Sequence, residues 1–213
     1  MFDILIKNAV VVDGTGAPRY SADIAVKDGV IADIAPGISA EAGGVIDAKG
    51  KVVTPGFIDY HSHSDTAFIY GTDAYNYLGQ GVTTQITGHC GSGPVPYYDG
   101  LLDDSKRFLS PEQWQYIRNF CENFKTFTDH VRTMKTGTNM AFYAGQGSIR
   151  GHVMNYRSDA PTADEMKQME GLMAQAMECG FLGFSTGLVY APSVYADTEE
   201  LVNIARVAAK YGG

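Results

Sequence analysis

Two closely spaced histidines are the clearest candidates for chemistry in this sequence. His61 and His63 follow an apolar run in the segment VVTPGFIDYHSHSD, which predicts a strand with polar residues at its carboxyl end. Side chains at positions i and i+2 of a strand point to the same face, so both imidazoles can converge on one metal ion. Two solvated or core histidines near a turn would give the same short pattern, and the spacing alone leaves both interpretations open.

A cysteine among glycines is the second candidate. Cys90 lies in the sequence GHCG, where the predicted strand VTTQITGHCG ends. A thiolate is a soft ligand that suits zinc, and its glycine neighbours leave room for an ion. A lone cysteine is also commonly a small buried apolar residue, so this pattern has two interpretations as well.

Other polar residues follow later predicted strands or flank the histidines. Arg150 ends the predicted strand NMAFYAGQGSIR, where it could bind an anionic ligand or form a salt bridge at the rim. Ser185 and Thr186 end FLGFSTGL, where they could contact a ligand or simply form a turn. Asp59 and Asp65 could orient the histidine rings, and Asp65 could equally cap a helix.

Alternating strands and helices place these residues in one region. Four strand–helix units follow Val52, which favours a parallel α/β architecture. Polar residues in such folds gather at the carboxyl ends of the strands. The predicted helices extend to about Leu78, over 110–134, from Thr162 to Gly180 and from Asp197 onward, with capping-box spacing at Ser110/Gln113 and Thr162/Glu165.

The first 54 residues have a different pattern. Three β-like runs are separated by turn residues, and the second run contains the hairpin dipeptide Asp28-Gly29 with near-alternating apolar residues on both sides. The pattern predicts a small antiparallel β-domain over 1–54, followed by an α/β domain over 55–213.

Composition excludes several classes of partner. The 213 residues contain 16 Lys+Arg and 24 Asp+Glu, a net charge of -8, with no basic run. Nucleic acid and anionic membranes are therefore poor partners. Three cysteines do not form a disulfide framework, and no apolar run approaches the roughly 20 residues of a membrane helix. The pattern of the apolar amino terminus predicts a strand rather than a signal peptide. We therefore expect a soluble, cytoplasmic protein.

Several motifs together resemble a known enzyme family. TPGFIDYHSH, residues 54–63, resembles the signature of the amidohydrolase superfamily. GVTTQITGHCGSGPVP is similar to a segment of its N-acyl-D-amino-acid deacylase (D-aminoacylase) branch, with His89 where that branch usually has asparagine. GQGSIRGHVM and the final segment from AMECGFLGFSTGL to KYGG are also similar, so the resemblance covers essentially the whole chain.

The resemblance implies a fold and a set of site residues. The fold is the N-terminal half of a TIM-like (β/α)8 metal-dependent hydrolase barrel, preceded by a small β-sandwich domain. The resemblance implies Zn2+ ligands at His61, His63 and Cys90, and a substrate-facing loop with Ser185, Thr186 and Tyr190. Arg150 is the candidate cation for the substrate, and Asp59, Asp65 and His89 are expected around the ligands.

The implied reaction is hydrolysis of a small-molecule N-acyl-D-amino acid to a carboxylate and a D-amino acid. Zinc would supply hydroxide near neutral pH and polarise the amide carbonyl, while a carboxylate would move the proton to the leaving amine. The family's catalytic aspartate and its further histidines are expected beyond Gly213, because no histidine follows Gly180.

The chain after Thr54 is shorter than the roughly 250 residues of a complete barrel. We therefore expect the N-terminal part of a longer deacylase, which alone binds metal weakly, hydrolyses nothing and can self-associate through its unpaired sheet edges. Two alternatives are another amidohydrolase chemistry, such as cyclic-amide hydrolysis or deamination, and a non-catalytic half-barrel that acts as an interaction module.

Overall fold

A computed structural model describes residues 1–65, 73–98, 100 and 110–213. The chain divides into two compact units, Met1–Gly56 and Phe57–Gly213. None of the helices in these described ranges is long and apolar enough to cross a membrane.

The first unit is a single five-stranded sheet. Its order is β3-β2-β1-β4, with β5 beside the end of β1. The strands are β1 (Phe2–Val11), β2 (Tyr20–Lys27), β3 (Val30–Ala35), β4 (Ala42–Asp47) and β5 (Val52–Val53). β1 is antiparallel to β2 but parallel to both β4 and β5. The prediction of an antiparallel domain is therefore wrong for β4 and β5. After β3 the chain crosses to the other side of β1, and both strands then pair with β1 in parallel.

The turn between β2 and β3 forms at the predicted dipeptide. Asp28 and Gly29 both have positive φ angles, 53° and 77°, as the tight hairpin turn requires. One side of the sheet carries a small apolar cluster, formed by Ala9, Val11, Ala22, Ile24 and Ala48. The strand pairing defines one sheet in this unit, so a two-sheet sandwich is not confirmed.

The second unit contains parallel strands joined by helices, which confirms the α/β class. β6, β7 and β8 form one parallel sheet and β9 pairs in parallel with β10. The strands are β6 (Phe57–Asp59), β7 (Val82–Thr87), β8 (Asn139–Phe142), β9 (Ala144–Gly145) and β10 (Phe184–Ser185). Tyr143 separates β8 from β9: its N–H donates to Thr87 O at 2.8 Å, whereas the N–H of Ala144 donates to Gly183 O at 3.0 Å. The chain thus changes neighbour at Tyr143 and links the two sets of strands.

Six α-helices lie in the described part of this unit. They are α1 (Tyr75–Leu78), α2 (Pro111–Phe120), α3 (Phe124–Thr133), α4 (Gln146–Met154), α5 (Ala163–Glu178) and α6 (Thr198–Lys210), with a 3-10 turn at Ser193–Tyr195. Reciprocal capping boxes form at Ser110/Gln113 and Thr162/Glu165, as their spacing predicts. The first turn of each of these two helices is therefore encoded locally.

Two predicted elements differ in the structure. The helix predicted over 110–134 is two helices, since α2 ends at Phe120 and the Asn123 side chain accepts the Thr126 N–H to begin α3. The segment Gln146 to Arg150, predicted as strand, belongs to α4. This helix is buried almost all round and therefore has no polar stripe to reveal its period. The helix predicted to end near Leu78 lies partly outside the described residues.

The helices pack their apolar faces into one core. α5 contributes Met169 and Met173, both fully buried on the face that the methionine spacing predicts. Aromatic residues from α3, β8 and the segment before β10 meet edge to face, with Phe127 and Phe142 centroids 5.1 Å apart. This core joins the helices to β8, β9 and β10.

Candidate metal centre

The ends of two neighbouring strands bring the candidate ligands together. β6 and β7 are parallel, with Asp59 opposite Gln85, so their carboxyl ends lie at the same edge of the sheet. His61 and His63 follow β6, and Cys90 follows β7. The N–H of Ser62 still donates to Ile86 O at 3.0 Å, which keeps the histidine segment aligned with β7 beyond the strand end.

The predicted alternation of side chains is observed. His61 and His63 are exposed, whereas Ser62 and Ser64 between and after them are buried. Both serine hydroxyls hydrogen-bond to Gln85 Oε1, at 3.2 and 2.5 Å. The buried serines therefore anchor the segment while both imidazoles remain on the open side.

The three candidate ligands converge. One potential ligand atom from each of His61, His63 and Cys90 lies within 4.8 Å of the other two. Cys90 Sγ is 3.5 Å from His61 Nε2. Two imidazoles and one thiol are a donor set that zinc prefers, and the spacing allows all three to reach one ion, so the residues fit the metal that the sequence implies.

The loop that presents Cys90 has an unusual backbone. Cys90 has a φ of 56°, uncommon for a residue with a side chain, and it lies between Gly88 and Gly91 at 81° and 73°. A Cβ on Gly88 would lie 1.9 Å from Tyr143 O, so only glycine fits there. Ser185 Oγ donates to Gly88 O at 2.5 Å and accepts the Gly91 N–H at 3.0 Å. These two bonds hold the loop in the conformation that turns the thiol toward the histidines.

Two carboxylates flank the histidines. Asp65 Oδ1 accepts the Gly88 N–H at 2.5 Å, and its Oδ2 is 3.8 Å from His63 Nδ1. Burial raises the pKa of the Asp65 carboxyl, and the Gly88 amide opposes that rise. Asp59 Oδ1 accepts the His61 N–H at 3.3 Å. Asp65 thus links the two ligand-bearing loops, while Asp59 contacts the backbone beside His61.

His89 lies against His61, the first candidate ligand. Its ring stacks on the His61 ring with centroids 4.1 Å apart and an interplanar angle of 23°. The side chain is buried, and among the described residues its Nε2 has no hydrogen-bond partner. Loss of hydration, followed by the positive charge that His61 can carry, lowers the pKa of His89.

A cavity of about 320 Å3 opens beside the candidate ligands. Tyr190 lines it, in the loop where the resemblance places a substrate-facing residue. The other lining residues are His63, Cys90, Gly91, Ser92, Tyr98, Gly147, Ala191, Pro192 and Ser193. Sequence reasoning missed Tyr98 and Ser193, because no local spacing connects them to the ligands. Neither Ser185 nor Thr186 is among the cavity-lining residues that the structure describes.

Arg150 is not at a strand end, and that prediction is wrong. It lies within α4, fully buried, and its guanidinium pairs with the buried Glu200 of α6. Its Nη2 also donates to Asp159 O at 2.7 Å. β9 ends at Gly145 and α4 begins at Gln146, so the Arg150 side chain lies between α4 and α6. This position does not support a substrate contact.

Comparisons with known proteins show the family of this chain. A family model described as the amidohydrolase family matches residues 44–212. The D-aminoacylase of Alcaligenes xylosoxydans xylosoxydans is 34% identical over 100% of this chain and 43% of its own length. The chain therefore spans less than half of that relative.

Solved structures show the same relationship. An N-acyl-D-glutamate deacylase from Bordetella bronchiseptica, complexed with zinc and a phosphonate inhibitor, superposes with a TM-score of 0.87 at 34% identity, covering 98% of this chain and 43% of that one. A D-aminoacylase with a binuclear metal centre superposes with a TM-score of 0.90 at 33% identity, covering 100% and 44%. By sequence and by fold, this chain belongs to the amidohydrolase family and is similar throughout to D-aminoacylases.

Proposed function

We propose that this chain provides part of the active site of a zinc-dependent hydrolase that deacylates N-acyl-D-amino acids. The observation behind the proposal is the convergence of His61, His63 and Cys90 within 4.8 Å at the ends of two neighbouring strands. The D-aminoacylase and deacylase names of relatives that match the whole chain support this substrate class.

In this proposal His61, His63 and Cys90 hold the zinc. When bound, zinc would lower the pKa of water to about 7 and polarise the amide carbonyl. Hydrolysis breaks the amide C–N bond, forms a C–O bond to the acyl carbon, and delivers a proton to the departing amine nitrogen. An acid–base group is needed for that proton, and the resemblance assigns it to an aspartate beyond Gly213.

Neighbouring residues keep the ligands in position. Asp65 joins the two ligand loops through Gly88 and faces His63, and Asp59 holds the backbone at His61. His89 packs flat on His61 and limits its ring rotation. The Ser185 hydroxyl hydrogen-bonds to the backbone of Gly88 and Gly91 and so holds the loop that carries Cys90. Of the substrate-facing candidates, Tyr190 is the one whose side chain lines the cavity, where its hydroxyl and ring can contact the substrate.

We further propose that residues 1–54 are a small β-domain and that residues 55–213 are the first four β/α units of a TIM-like barrel. The sequential parallel order of β6, β7, β8/β9 and β10 supports this assignment. The metal ligands then lie at the carboxyl ends of the first two barrel strands, where active sites of such barrels occur.

The test is an assay of the full-length protein loaded with zinc. We expect release of D-amino acids from N-acetyl-D-amino acids, little reaction with the L enantiomers, and no opening of hydantoins. Chelation should abolish the reaction and zinc should restore it. Hydantoin or aminopurine turnover without deacylation would overturn the proposal in favour of another amidohydrolase chemistry.

A second readout does not depend on activity. Zinc should protect Cys90 from alkylation by iodoacetamide, whereas the half-buried Cys179 should react equally with and without zinc. Cys121 should stay unreactive in both states, because it is fully buried and burial raises the pKa of its thiol. Peptide mass spectrometry measures all three sites, and equal labelling of Cys90 in both states would contradict its role as a ligand.

A further inference from the structure

We propose that the cavity beside the metal centre binds the acyl group of the substrate and selects uncharged acyl groups larger than acetyl. The inference rests on the proposed deacylase function and adds to it the class of acyl group. It is carried by the composition, position and size of the cavity.

The cavity wall is uncharged apart from the ligand histidine. Among the described residues that line it, none is a lysine, arginine, aspartate or glutamate. Its polar groups are the hydroxyls of serines and tyrosines, and the rest of the surface is aromatic rings, proline, alanine and glycine. Away from the metal centre, a carboxylate in this cavity would lose its hydration without gaining a cation from the described lining residues, which is strongly unfavourable. The uncharged part of an N-acyl amino acid is therefore the part that fits.

The position of the cavity favours the acyl group. His63 and Cys90 line the cavity directly, so it begins at the metal centre. The acyl group is bonded to the carbonyl carbon that must reach this centre. The amino-acid side chain is farther away, separated from that carbon by the amide nitrogen and the α-carbon. While the carbonyl stays at the metal centre, the acyl group is therefore the part of the substrate that reaches the cavity through the fewest bonds.

The size of the cavity exceeds the need of an acetyl group. Its volume is about 320 Å3. A water molecule takes about 30 Å3 of liquid, and a methyl group is of similar size, so an acetyl methyl fills only a small part of the space. Longer or aromatic acyl groups bury more apolar surface against Tyr98 and Tyr190. Each added methylene should increase kcat/KM about fourfold until the space is filled.

The floor of the cavity is close-packed backbone. A Cβ added to Gly91 would lie 2.8 Å from Gly187 N, and one added to Gly147 would lie 2.8 Å from Gly91 O, so neither position can take a larger residue without moving the backbone. Ala191, in contrast, is an exposed residue of the wall. A larger side chain at Ala191 can therefore reduce the volume without disturbing the packing.

The experiment compares acyl groups on one D-amino acid, using the full-length zinc-loaded protein. The series is N-acetyl, N-butanoyl, N-hexanoyl, N-benzoyl and the anionic N-succinyl. We expect kcat/KM to rise from acetyl to hexanoyl, to be high for benzoyl, and to be at least tenfold lower for succinyl than for butanoyl. Ala191→Leu should lower the ratio of hexanoyl or benzoyl kcat/KM to acetyl kcat/KM at least tenfold. The matched control Val194→Leu alters an exposed neighbour that does not line the cavity and should leave the series unchanged.

The outcomes separate the two proposals. If the unaltered protein hydrolyses none of the five compounds, the proposed function fails. If it hydrolyses them with no acyl preference, or prefers succinyl, the deacylase function stands and the acyl assignment is overturned. The assignment is also overturned if Ala191→Leu changes the preference for the amino-acid side chain instead. Should Ala191→Leu fail to fold, the acyl series on the unaltered protein decides the question.

Discussion

At the scale of single residues, the candidate centre depends on groups that position the ligands without being ligands themselves. Ser185 is the clearest, because one hydroxyl satisfies both Gly88 O and the Gly91 N–H around Cys90. Both glycines are buried, so neither the Gly88 carbonyl nor the Gly91 N–H can hydrogen-bond to water when that hydroxyl is removed. The resemblance suggested a substrate contact for Ser185, whereas in the structure its hydroxyl hydrogen-bonds to the loop that carries Cys90.

Ser185→Ala should therefore weaken both folding and metal binding. Two buried backbone groups would lose their partner, at a cost of about 1–3 kcal/mol in the free energy of unfolding. Zinc affinity should fall by about tenfold, because such supporting groups orient the ligand. Urea unfolding and zinc titration measure the two effects, and Ser158→Ala, at an exposed serine, is the control. Unchanged stability and zinc affinity in Ser185→Ala would contradict this role.

A buried carboxylate of the first unit gives a pH-dependent prediction. Asp23 is 4% exposed and bonds to Lys7 Nζ at 2.5 Å and to the backbone N–H groups of Asn8 and Ile38, each at 2.9 Å. The bond to Lys7, followed by that to the Asn8 amide, holds the pKa of Asp23 below its ordinary value. A lowered pKa in the folded state stabilises the protein above the unfolded value, and this contribution disappears as the pH falls through the folded pKa.

Asp23→Asn should thus lower the stability of this unit at pH 7, and the difference should shrink as the pH falls below about 4. Urea unfolding of both proteins across this pH range measures it. Asp33→Asn, at an exposed carboxylate of the neighbouring strand β3, should have little effect at either pH. A difference between Asp23→Asn and the unaltered protein that stays constant or grows toward low pH would rule out the charged form as its source.

At the scale of elements, a buried ion pair joins α4 to α6. Arg150 and Glu200 have side chains that are 0% and 1% exposed. Gln146, at the first turn of α4, donates to the other Glu200 oxygen at 2.6 Å. Burial raises the pKa of Glu200, and the charge of Arg150 opposes that rise. Gly147, which lines the cavity, follows Gln146 directly, so this pair sets the position of one cavity wall.

Arg150→Met should destabilise the protein by about 3–5 kcal/mol, because it leaves the Glu200 carboxylate buried without its cation. The double variant Arg150→Met/Glu200→Met should be less destabilised than the sum of the single changes, since neither charge is then left alone. Arg157→Met, which removes a surface cation paired with Asp159 and Glu165, should cost no more than about 1 kcal/mol. Urea unfolding compares them, and additive effects of the two buried changes would disprove the coupling.

At the scale of the whole molecule, the two compact units have cores of very different size. The first unit buries a small cluster on one sheet. The second unit gathers side chains from its strands and from α2 to α6, including Phe124, Phe127, Met169 and Ile204. A domain of about 60 residues buries a smaller share of its surface than a larger one and is correspondingly less stable.

We therefore expect residues 1–56 to lose amide protection at lower urea concentration than residues 57–213. Hydrogen exchange followed by mass spectrometry resolves the two ranges in one sample. Ile204→Ala, which removes a fully buried side chain of the larger core, should move only the transition of the second unit. A single transition shared by both ranges, and shifted as a whole by Ile204→Ala, would contradict separate cores.

Local features of this protein could be predicted from its sequence. The capping boxes at Ser110 and Thr162 and the turn at Asp28-Gly29 need only residues within four positions of one another. The outward alternation of His61 and His63 follows in the same way from the pleat of a strand. The helical state of Gln146 to Arg150 could not be predicted, because a helix buried on all sides shows no hydrophobic period.

The sequence by itself determined the α/β class, the family and the candidate metal ligands, because these depend on local periodicity and on short motifs. Tertiary structure alone decided that Arg150 pairs with Glu200, fifty residues away, instead of facing a substrate. It also decided that Ser185 hydrogen-bonds to the loop that carries Cys90. In the same way it decided that Tyr98, Tyr190 and Ser193 line one cavity. These contacts join residues from different strand–helix units, and only the packing of the strands and helices against one another brings them within reach.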